Sequence, residues 1–316
     1  MLDSSCKPCD ASRYQGGEIL PTSEYLAVER PLDIRLNGES LAITLCSPGA
    51  DRALALGLLF SEGRISAAEE VLSWETGETE GSDLTGPIPH QAATLAKSPG
   101  SNGSGSTRVL TMNSACGLCG KTEWENPPDP PVPAAARSAH MRWAIGDLPR
   151  FFAAMSEAQG AFARTGGCHA AAAFSAQGKL LSVHEDVGRH NAVDKVVGDL
   201  LERNLIGARA DKGDVDWPAL LCVSGRVAFE IVAKAHRGGF AALAAVGAPS
   251  DLSVRHAHSW GLTLLGFCRE GRATAYAHGD KLGATAERPA PSDSASLSLE
   301  SSLTHSLTQN AIGTHG

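Results

Sequence analysis

Apolar positions along the chain change their spacing several times, and each change marks an element. Ile34 and Leu36 precede Asn37-Gly38, and Leu41, Ile43 and Leu45 follow it. Asn-Gly between apolar runs predicts a tight hairpin turn. Ser47-Pro48 then reads as an N-cap and first helical residue, leading into Ala53 to Phe60 and a stop at Gly63. The chain therefore opens strand, strand, helix.

The second half repeats the alternation. Leu148, Phe151, Phe152, Met155 and Phe162 recur at helical spacing and predict a helix ending before Thr165-Gly166-Gly167. Ala171–Phe174 and Leu180–Val183 flank Ser-Ala-Gln-Gly as two strands and a turn. Val193, Val196, Val197, Leu200 and Leu201 mark the next helix. Leu220–Val223, Ala241–Val246 and Leu262–Phe267 read as strands, with helices at Val227–His236 and Ser250–Trp260 between them. Alternation of this kind predicts an α/β layered domain with a largely parallel sheet.

Four regions follow from the pattern. Residues 1–20 read as a flexible leader. Residues 21–145 form an N-terminal α/β region, interrupted at 75–107 by a Gly/Ser/Thr/Pro-rich stretch expected to be a solvated, disordered insertion. A short strand around Arg108–Met112 follows it, then a cysteine-bearing loop at 114–121 and a second loop from Pro127 to Pro133. Residues 146–282 are the α/β core, and 283–316 a Ser/Ala/Thr-rich tail expected to be disordered. No internal repeat is visible.

Composition narrows the function classes. Apolar residues make up 42% of 316, enough for a substantial core. A formal charge of −8 argues against a general nucleic-acid binder, which needs a basic surface. It leaves room for a local basic pocket. No run of 18 apolar residues occurs, so no membrane-spanning helix is expected. The start, Met-Leu-Asp-Ser-Ser-Cys, has neither the basic nor the apolar region of a secretory signal. Eight cysteines in such a chain fit a reducing compartment better than a disulfide framework. The expected location is the cytoplasm.

Candidate chemistry starts at Ser114-Ala-Cys-Gly-Leu-Cys-Gly-Lys121. Two thiols three positions apart, with glycines beside them and a lysine after, suggest sulfur or redox chemistry or half of a metal site. Nearby cations and helix N-termini lower a thiol pKa. A four-thiolate zinc site would recruit Cys6 and Cys9, but zinc ribbons separate their pairs by ~15–20 residues, far less than the gap from Cys9 to Cys116. A thioredoxin-like motif would follow the first strand of a βαβ unit, which does not match this context. A deaminase-type zinc site needs His-x-Glu ahead of Pro-Cys-x-x-Cys, whereas Cys116 follows alanine. Structural thiols remain the plain alternative.

The run from His184 to Lys195, His-Glu-Asp-Val-Gly-Arg-His-Asn-Ala-Val-Asp-Lys, crowds charge into a strand-to-helix junction. Asp186 or Asn191 would serve as a helix cap. Capping leaves Arg189, His190, Asp194 and Lys195 unexplained. A helix N-terminus after Gly188 is a natural anion site, with Arg189 as a bidentate clamp and His190 as an acid, a base or a simple donor. Ser224-Gly225-Arg226 follows a strand, where ligands of open α/β sheets bind. Thr165-Gly166-Gly167-Cys168-His169 and Gly247-Ala-Pro-Ser250 are turns of the same kind. Together they suggest a pocket for a large phosphorylated ligand.

These residues resemble the formate dehydrogenase accessory sulfurtransferase family, FdhD. The matching segments are Asn37-Gly38, Leu54–Gly63, Ser114–Lys121, Thr165–Ala172, Glu185–Lys195, Ser224-Gly-Arg226 with Phe229-Glu230, Ala248-Pro-Ser250, Gly266-Phe267 and Gly271-Arg272. They cover roughly residues 25–280 in order, and Glu-Asp-Val-Gly-Arg-His-Asn is the most specific of them.

The resemblance implies a cytidine-deaminase-like layered α/β/α domain without catalytic zinc, preceded by a small α/β N-terminal region, in a homodimer. It implies a sulfur carrier that accepts sulfane sulfur from a cysteine desulfurase as a cysteine persulfide. That sulfur would pass to molybdenum bis(molybdopterin guanine dinucleotide), bound as substrate, before the cofactor enters the formate dehydrogenase catalytic subunit. By position, Cys116 matches the persulfide-bearing cysteine and Cys119 its partner, with no metal site expected. Phe267, Cys268, Arg269, Glu270, Gly271 and Arg272 match a segment that contacts the cofactor. Thr165, Gly166, Gly167, His169, Asp186, Gly188, Arg189, His190, Asn191, Ser224, Gly225 and Arg226 would line the guanine-dinucleotide pocket.

Lys121 and a helix start would tune the thiol, and Arg189, Arg226, Arg269 and Arg272 would clamp phosphates. Cys46 and Cys222 read as core thiols, whereas Cys168 and Cys268 fall within the proposed pocket. A non-catalytic cofactor-binding chaperone and a dithiol oxidoreductase are the rival expectations.

Overall fold

The computed structural model describes residues 4–82, 85–95, 110–112 (backbone only), 128–130, 141–208 and 217–282, all within one unit spanning Met1–Ala286. The cysteine-bearing loop at 114–121 and the tail from 283 lie outside the described residues.

Where the sequence predicts a flexible leader, β1 (Cys6–Gln15) and β2 (Glu18–Ala27) form an antiparallel hairpin. Its alternation is weak because most side chains face water, Tyr14 and Ile19 among them. That weak period hides it from a pattern search.

β3 (Arg30–Leu36) and β4 (Glu39–Cys46) are the hairpin expected at Asn37-Gly38, and both turn residues have positive φ, 51° and 87°. This is the conformation that a tight twisted hairpin demands. Within the stretch read as a solvated insertion, residues 75–79 and 88–95 are strand instead, while 83–84 and 96–107 lie outside the described residues. β5 (Val71–Thr79) and β6 (Ile88–Leu95) pair antiparallel, and β6 runs parallel to β3. Trp74 donates its indole N–H to Gln91 across that pair at 2.6 Å, which explains how a polar, Thr-rich stretch is retained in a sheet. With β7 (Leu110–Met112) beside β4, the order is β5-β6-β3-β4-β7.

Helix α1 (Asp51–Ser61) begins after Ala50, which sits at φ 54° and offers no side-chain cap. Ser47 is therefore not the N-cap that Ser-Pro suggested; its side chain is used elsewhere. The single helix predicted from Leu148 to Phe162 is two, α2 (Leu148–Glu157) and α3 (Gly160–Thr165). The break has a cause. The Glu185 carboxylate accepts the N–H groups of Ala161 and Phe162 at 2.8 and 2.7 Å and starts a new helix there.

The second sheet contains β8 (His169–Ser175), β9 (Leu180–Asp186), β10 (Pro218–Val223), β11 (Ala242–Ala245), β12 (Thr263–Arg269) and β13 (Arg272–Ala277), in the order β13-β12-β11-β10-β8-β9. It is mixed, not largely parallel. Only β10–β11 and β11–β12 are parallel; the short turns joining β8 to β9 and β12 to β13 can make only antiparallel pairs, and β8 also runs antiparallel to β10.

Alternate residues divide between two apolar layers. Ala171, Ala173, Leu221, Val223, Leu243 and Leu264 face α4 (Arg189–Glu202), α5 (Phe229–Arg237) and α6 (Asp251–Trp260), with α1 packed on the same side. Ala170, Ala172, Phe174, Leu220, Cys222 and Leu265 face α2. The alanines of β8 let helices close on both faces of a central strand.

Candidate functional site

The sheet brings most of the predicted turns into one strip. β8 is antiparallel to β10, so His169 at its start lies beside the carboxyl end of β10. There the Ser224 hydroxyl accepts the Ala170 N–H at 2.9 Å, and the Ser224 N–H returns to the Ala170 carbonyl at 3.0 Å. Gly225 faces both His169 and Arg189: a Cβ on it would lie 3.4 Å from the His169 Nδ1 and 3.6 Å from the Arg189 Cδ. The neighbouring turn donates from Gly247 N to the Gly225 carbonyl, and the next from Phe267 N to the Gly247 carbonyl, both at 3.2 Å. A Cβ on Gly247 would come within 2.8 Å of the Gly225 oxygen. Close backbone approach therefore requires glycine here.

The strip ends in an exposed tip. Phe267 has φ 52° and is 38% exposed, and Glu270-Gly271 turns the chain with φ values of 54° and 74°. Arg269 and Arg272 sit on this tip facing water, as does Arg226 at the end of β10. Cys268, grouped with the ligand segment on sequence grounds, points the other way into the apolar layer under α2.

The Asp186–Asn191 junction is turned inward. Asp186 is fully buried. Its Oδ1 accepts from Gly188 N and the Asn191 amide at 2.8 and 3.0 Å, and its Oδ2 from Ser47 N at 3.0 Å and the Lys195 ammonium at 2.8 Å. Lys195 also donates to the Ser47 carbonyl at 2.9 Å. Asn191 donates to the Leu45 carbonyl at 2.7 Å and accepts from the Thr44 hydroxyl at 3.3 Å. Ser47, expected as a helix cap, accepts the Val187 N–H at 3.1 Å. The junction thus joins the end of β4 to the start of α4, and of its residues Arg189 extends toward the strip.

Beneath it, His190 faces Glu230 at 3.6 Å, and Asp194 is held by Lys234. Sequence reading missed Glu230 and Lys234 as partners. Their i, i+4 spacing on α5 matches that of His190 and Asp194 on α4, and this mirrored spacing was the available signal.

Electrostatics sort the titratable groups. Burial, then the charges of Arg189 and His190, holds His169 below the usual histidine range, so its imidazole is neutral at pH 7. Burial and the Asp186 charge push the Cys46 thiol up to about 12, and burial pushes Cys268 to about 11 and Cys222 well up. Burial also raises Cys168, against a hydrogen bond from Ser47. None of these four is a ready nucleophile. Cys116, Cys119 and Lys121 lie outside the described residues. The described chain reaches both flanks of their loop. β7 pairs Met112 with Thr44, the residue bonded to Asn191. On the other side, the Arg237 guanidinium donates to the Asp129 carbonyl and also to those of Phe60 and Ile65 at 3.1 Å.

No group of three or more possible metal-ligating side chains occurs among the described residues. Cys6 and Cys9 lie three apart on an extended strand, so they face opposite sides of it. No helix among the described residues is long and apolar enough to cross a membrane.

Residues 27–283 match the model of the FdhD/NarQ family. The chain is 41% identical over 272 residues to the sulfur carrier protein FdhD of Anaeromyxobacter dehalogenans, covering 83% of this chain and 90% of that one. It is 38% identical to the proteins of the same name from Mycobacterium tuberculosis and Streptomyces coelicolor, covering 84% and 85% of this chain and 94% and 93% of theirs. Among solved structures, a formate dehydrogenase accessory protein from Desulfotalea psychrophila superposes with a TM-score of 0.62 at 20% identity, covering 88% of this chain and 99% of that one. That likeness bears on the fold alone.

Proposed function

The chain belongs to the FdhD/NarQ family, and from that premise we propose that it is a sulfur carrier for formate dehydrogenase maturation. The Cys116 thiolate attacks the sulfane sulfur of a cysteine desulfurase persulfide. The sulfur–sulfur bond of the donor breaks, the desulfurase thiolate leaves, and Cys116 holds the new persulfide. The persulfide's sulfur–sulfur bond then breaks, Cys116 leaves as its thiolate, and the terminal sulfur passes to a bis(molybdopterin guanine dinucleotide) cofactor, the substrate of the transfer. The two electrons that take the sulfane sulfur to sulfide come from that substrate's molybdenum in its reduced state.

The observation that carries this reading is the placement of the thiol loop's flanks. Met112, on β7, lies in register with Thr44, which bonds Asn191 at the junction. Cys116 follows Met112 by only four positions, a reach of at most about 14 Å. The four buried thiols described above are poor nucleophiles by contrast, which favours the loop cysteines. In this reading the strip holds the dinucleotide. Arg226, Arg269 and Arg272 meet phosphate oxygens, Arg189 approaches from below, and neutral His169 donates or accepts a hydrogen bond. The mixed sheet covered on both faces is in keeping with a deaminase-like layering, and the family reading adds a homodimer.

The test is mass spectrometry after incubation with a desulfurase and sulfur-labelled cysteine. The wild type gains one sulfur on the Cys116 peptide, and Cys116→Ala gains none and does not activate formate dehydrogenase. A variant that still takes up label and activates the dehydrogenase removes Cys116 from the role. Retained activity in a protein with serine at both positions would instead support a chaperone that carries no sulfur. A reversible Cys116–Cys119 disulfide without guanine-nucleotide binding would support an oxidoreductase.

A further inference from the structure

The leader hairpin carries two cysteines outside the chemistry above, and its register separates them. Cys6 stands opposite Ala27, so their side chains share one face of the hairpin. That face meets the turn before β8: a Cβ on Gly167 would lie 3.2 Å from the Ala27 Cβ, and Cys168 is the next residue. Cys9 stands opposite Glu24 on the other face. The hairpin is also held to α3, where the Arg164 guanidinium lies 4.4 Å from the Tyr25 ring centre.

A cavity of about 240 Å³ opens at this contact, lined by Ser5, Ser47, Gly49, Cys168, His184 and Lys195 among others. Ser5 brings Cys6 to its rim, since the Ser5 hydroxyl is 3.6 Å from the Cys6 sulfur. Cys6 is half-buried and Cys168 buried. Cys6 is the more exposed of the two, and after burial its charge is among those that raise the Cys168 thiol, so the two sulfurs lie within electrostatic reach of each other.

We propose that Cys6 and Cys168 are a thiol pair that forms a disulfide on exposure to a low-molecular-weight disulfide, fastening the hairpin to the α3–β8 turn at the cavity rim. The Cys6 thiolate attacks one sulfur of oxidised glutathione. The glutathione sulfur–sulfur bond breaks, one glutathione thiolate leaves, and Cys6 carries a mixed disulfide. The Cys168 thiolate then attacks the Cys6 sulfur and expels the second glutathione. Both cysteines are oxidised, one oxidised glutathione is reduced to two thiols, and the two cysteine protons end on the glutathione thiolates. Burial raises the Cys168 thiol, so the second step is the slow one at pH 7 and speeds up in alkali.

The experiment uses the full chain with Cys9→Ser, because tryptic peptide 1–13 otherwise holds two cysteines. After treatment with oxidised glutathione and blocking of free thiols, unreduced digests are read by mass spectrometry. The expected product joins peptide 1–13 to peptide 165–179 with the loss of two hydrogens. It forms faster at pH 9 than at pH 7 and disappears on reduction. Adding Cys168→Ala leaves glutathione on Cys6. Retention of glutathione on Cys6 in the Cys9→Ser protein, or a link from Cys6 to any other cysteine, overturns the proposal.

Discussion

The Lys234 ammonium donates to both carboxylate oxygens of Asp194, at 2.7 and 2.8 Å, and both side chains are buried. The Ser61 hydroxyl adds a third bond to the same carboxylate at 3.1 Å. One turn earlier on each helix His190 faces Glu230. The family-specific run therefore ends in a polar seam that locks α4 against α5 and α1, below the turns that form the strip.

Removing one partner of a buried pair costs about 3–5 kcal/mol, because the other charge is left uncompensated. Lys234→Met should lower stability by that amount in urea unfolding at pH 7.5. Burial raises the Asp194 pKa, and Lys234 opposes the rise. Without the lysine the folded-state pKa stands further above the unfolded one. The folded variant then binds the extra proton, so it regains stability as pH falls and loses it as pH rises through the folded value. A loss equal at pH 5 and pH 7.5 would contradict this. Lys234→Met with Asp194→Asn should recover part of the loss.

Helices α1 and α4 touch backbone to backbone. A Cβ on Gly198 would lie 1.8 Å from the Ala53 carbonyl oxygen, and one on Gly57 1.9 Å from that of Asp194. Neither neighbour is a flexible side chain, so the helices must move apart. Gly198→Ala should lower stability by about 1–3 kcal/mol or more despite the better helix propensity of alanine. A melting temperature equal to that of the wild type would show that the contact is not tight.

His236 stacks on Trp260 at 4.5 Å with its Nδ1 buried and without a hydrogen bond. Burial depresses its pKa to about 4, against the pull of Asp129. The unfolded chain binds a proton near pH 6.5, whereas the folded chain resists until about 4. Stability contributed here is present above pH 6.5 and is lost as pH falls to 4. His236→Phe should flatten that part of the urea-midpoint profile. His169, His184 and His256 are depressed as well, so the slope should shrink without vanishing.

Much of the element order from Ile34 onward was legible where period and punctuation agreed, as at Asn37-Gly38 and at Ser250, where the predicted helix does start with a side-chain cap. The leader hairpin, β5, β6 and β13 were not legible, since strands with a wet face and many polar residues leave little alternation to read. Of the candidate site, the turns at Ser224 and Gly247 were found through glycine beside a strand end, and the Phe267–Arg272 tip through the family resemblance alone. The inward bonds of Asp186, Asn191 and Lys195 were not. Their partners Ser47, Leu45 and Thr44 lie about 140 residues away in sequence, and spacing carries no information about such contacts.

Phe267 combines an aromatic ring with left-handed backbone, a conformation that costs a non-glycine residue roughly 1–2 kcal/mol. Its ring gains little in return, being 38% exposed. Strain kept at an exposed position points to a use for the side chain. Under the proposed function that use is stacking on a guanine base, worth about 1–3 kcal/mol. Phe267→Gly should leave stability within about 1 kcal/mol of the wild type, since relieved strain offsets the lost ring contact. Binding of a guanine nucleotide, followed by calorimetry, should weaken on the order of tenfold, with tryptophan at the same position restoring it. A variant with lower stability and unchanged nucleotide affinity would assign Phe267 to the fold instead.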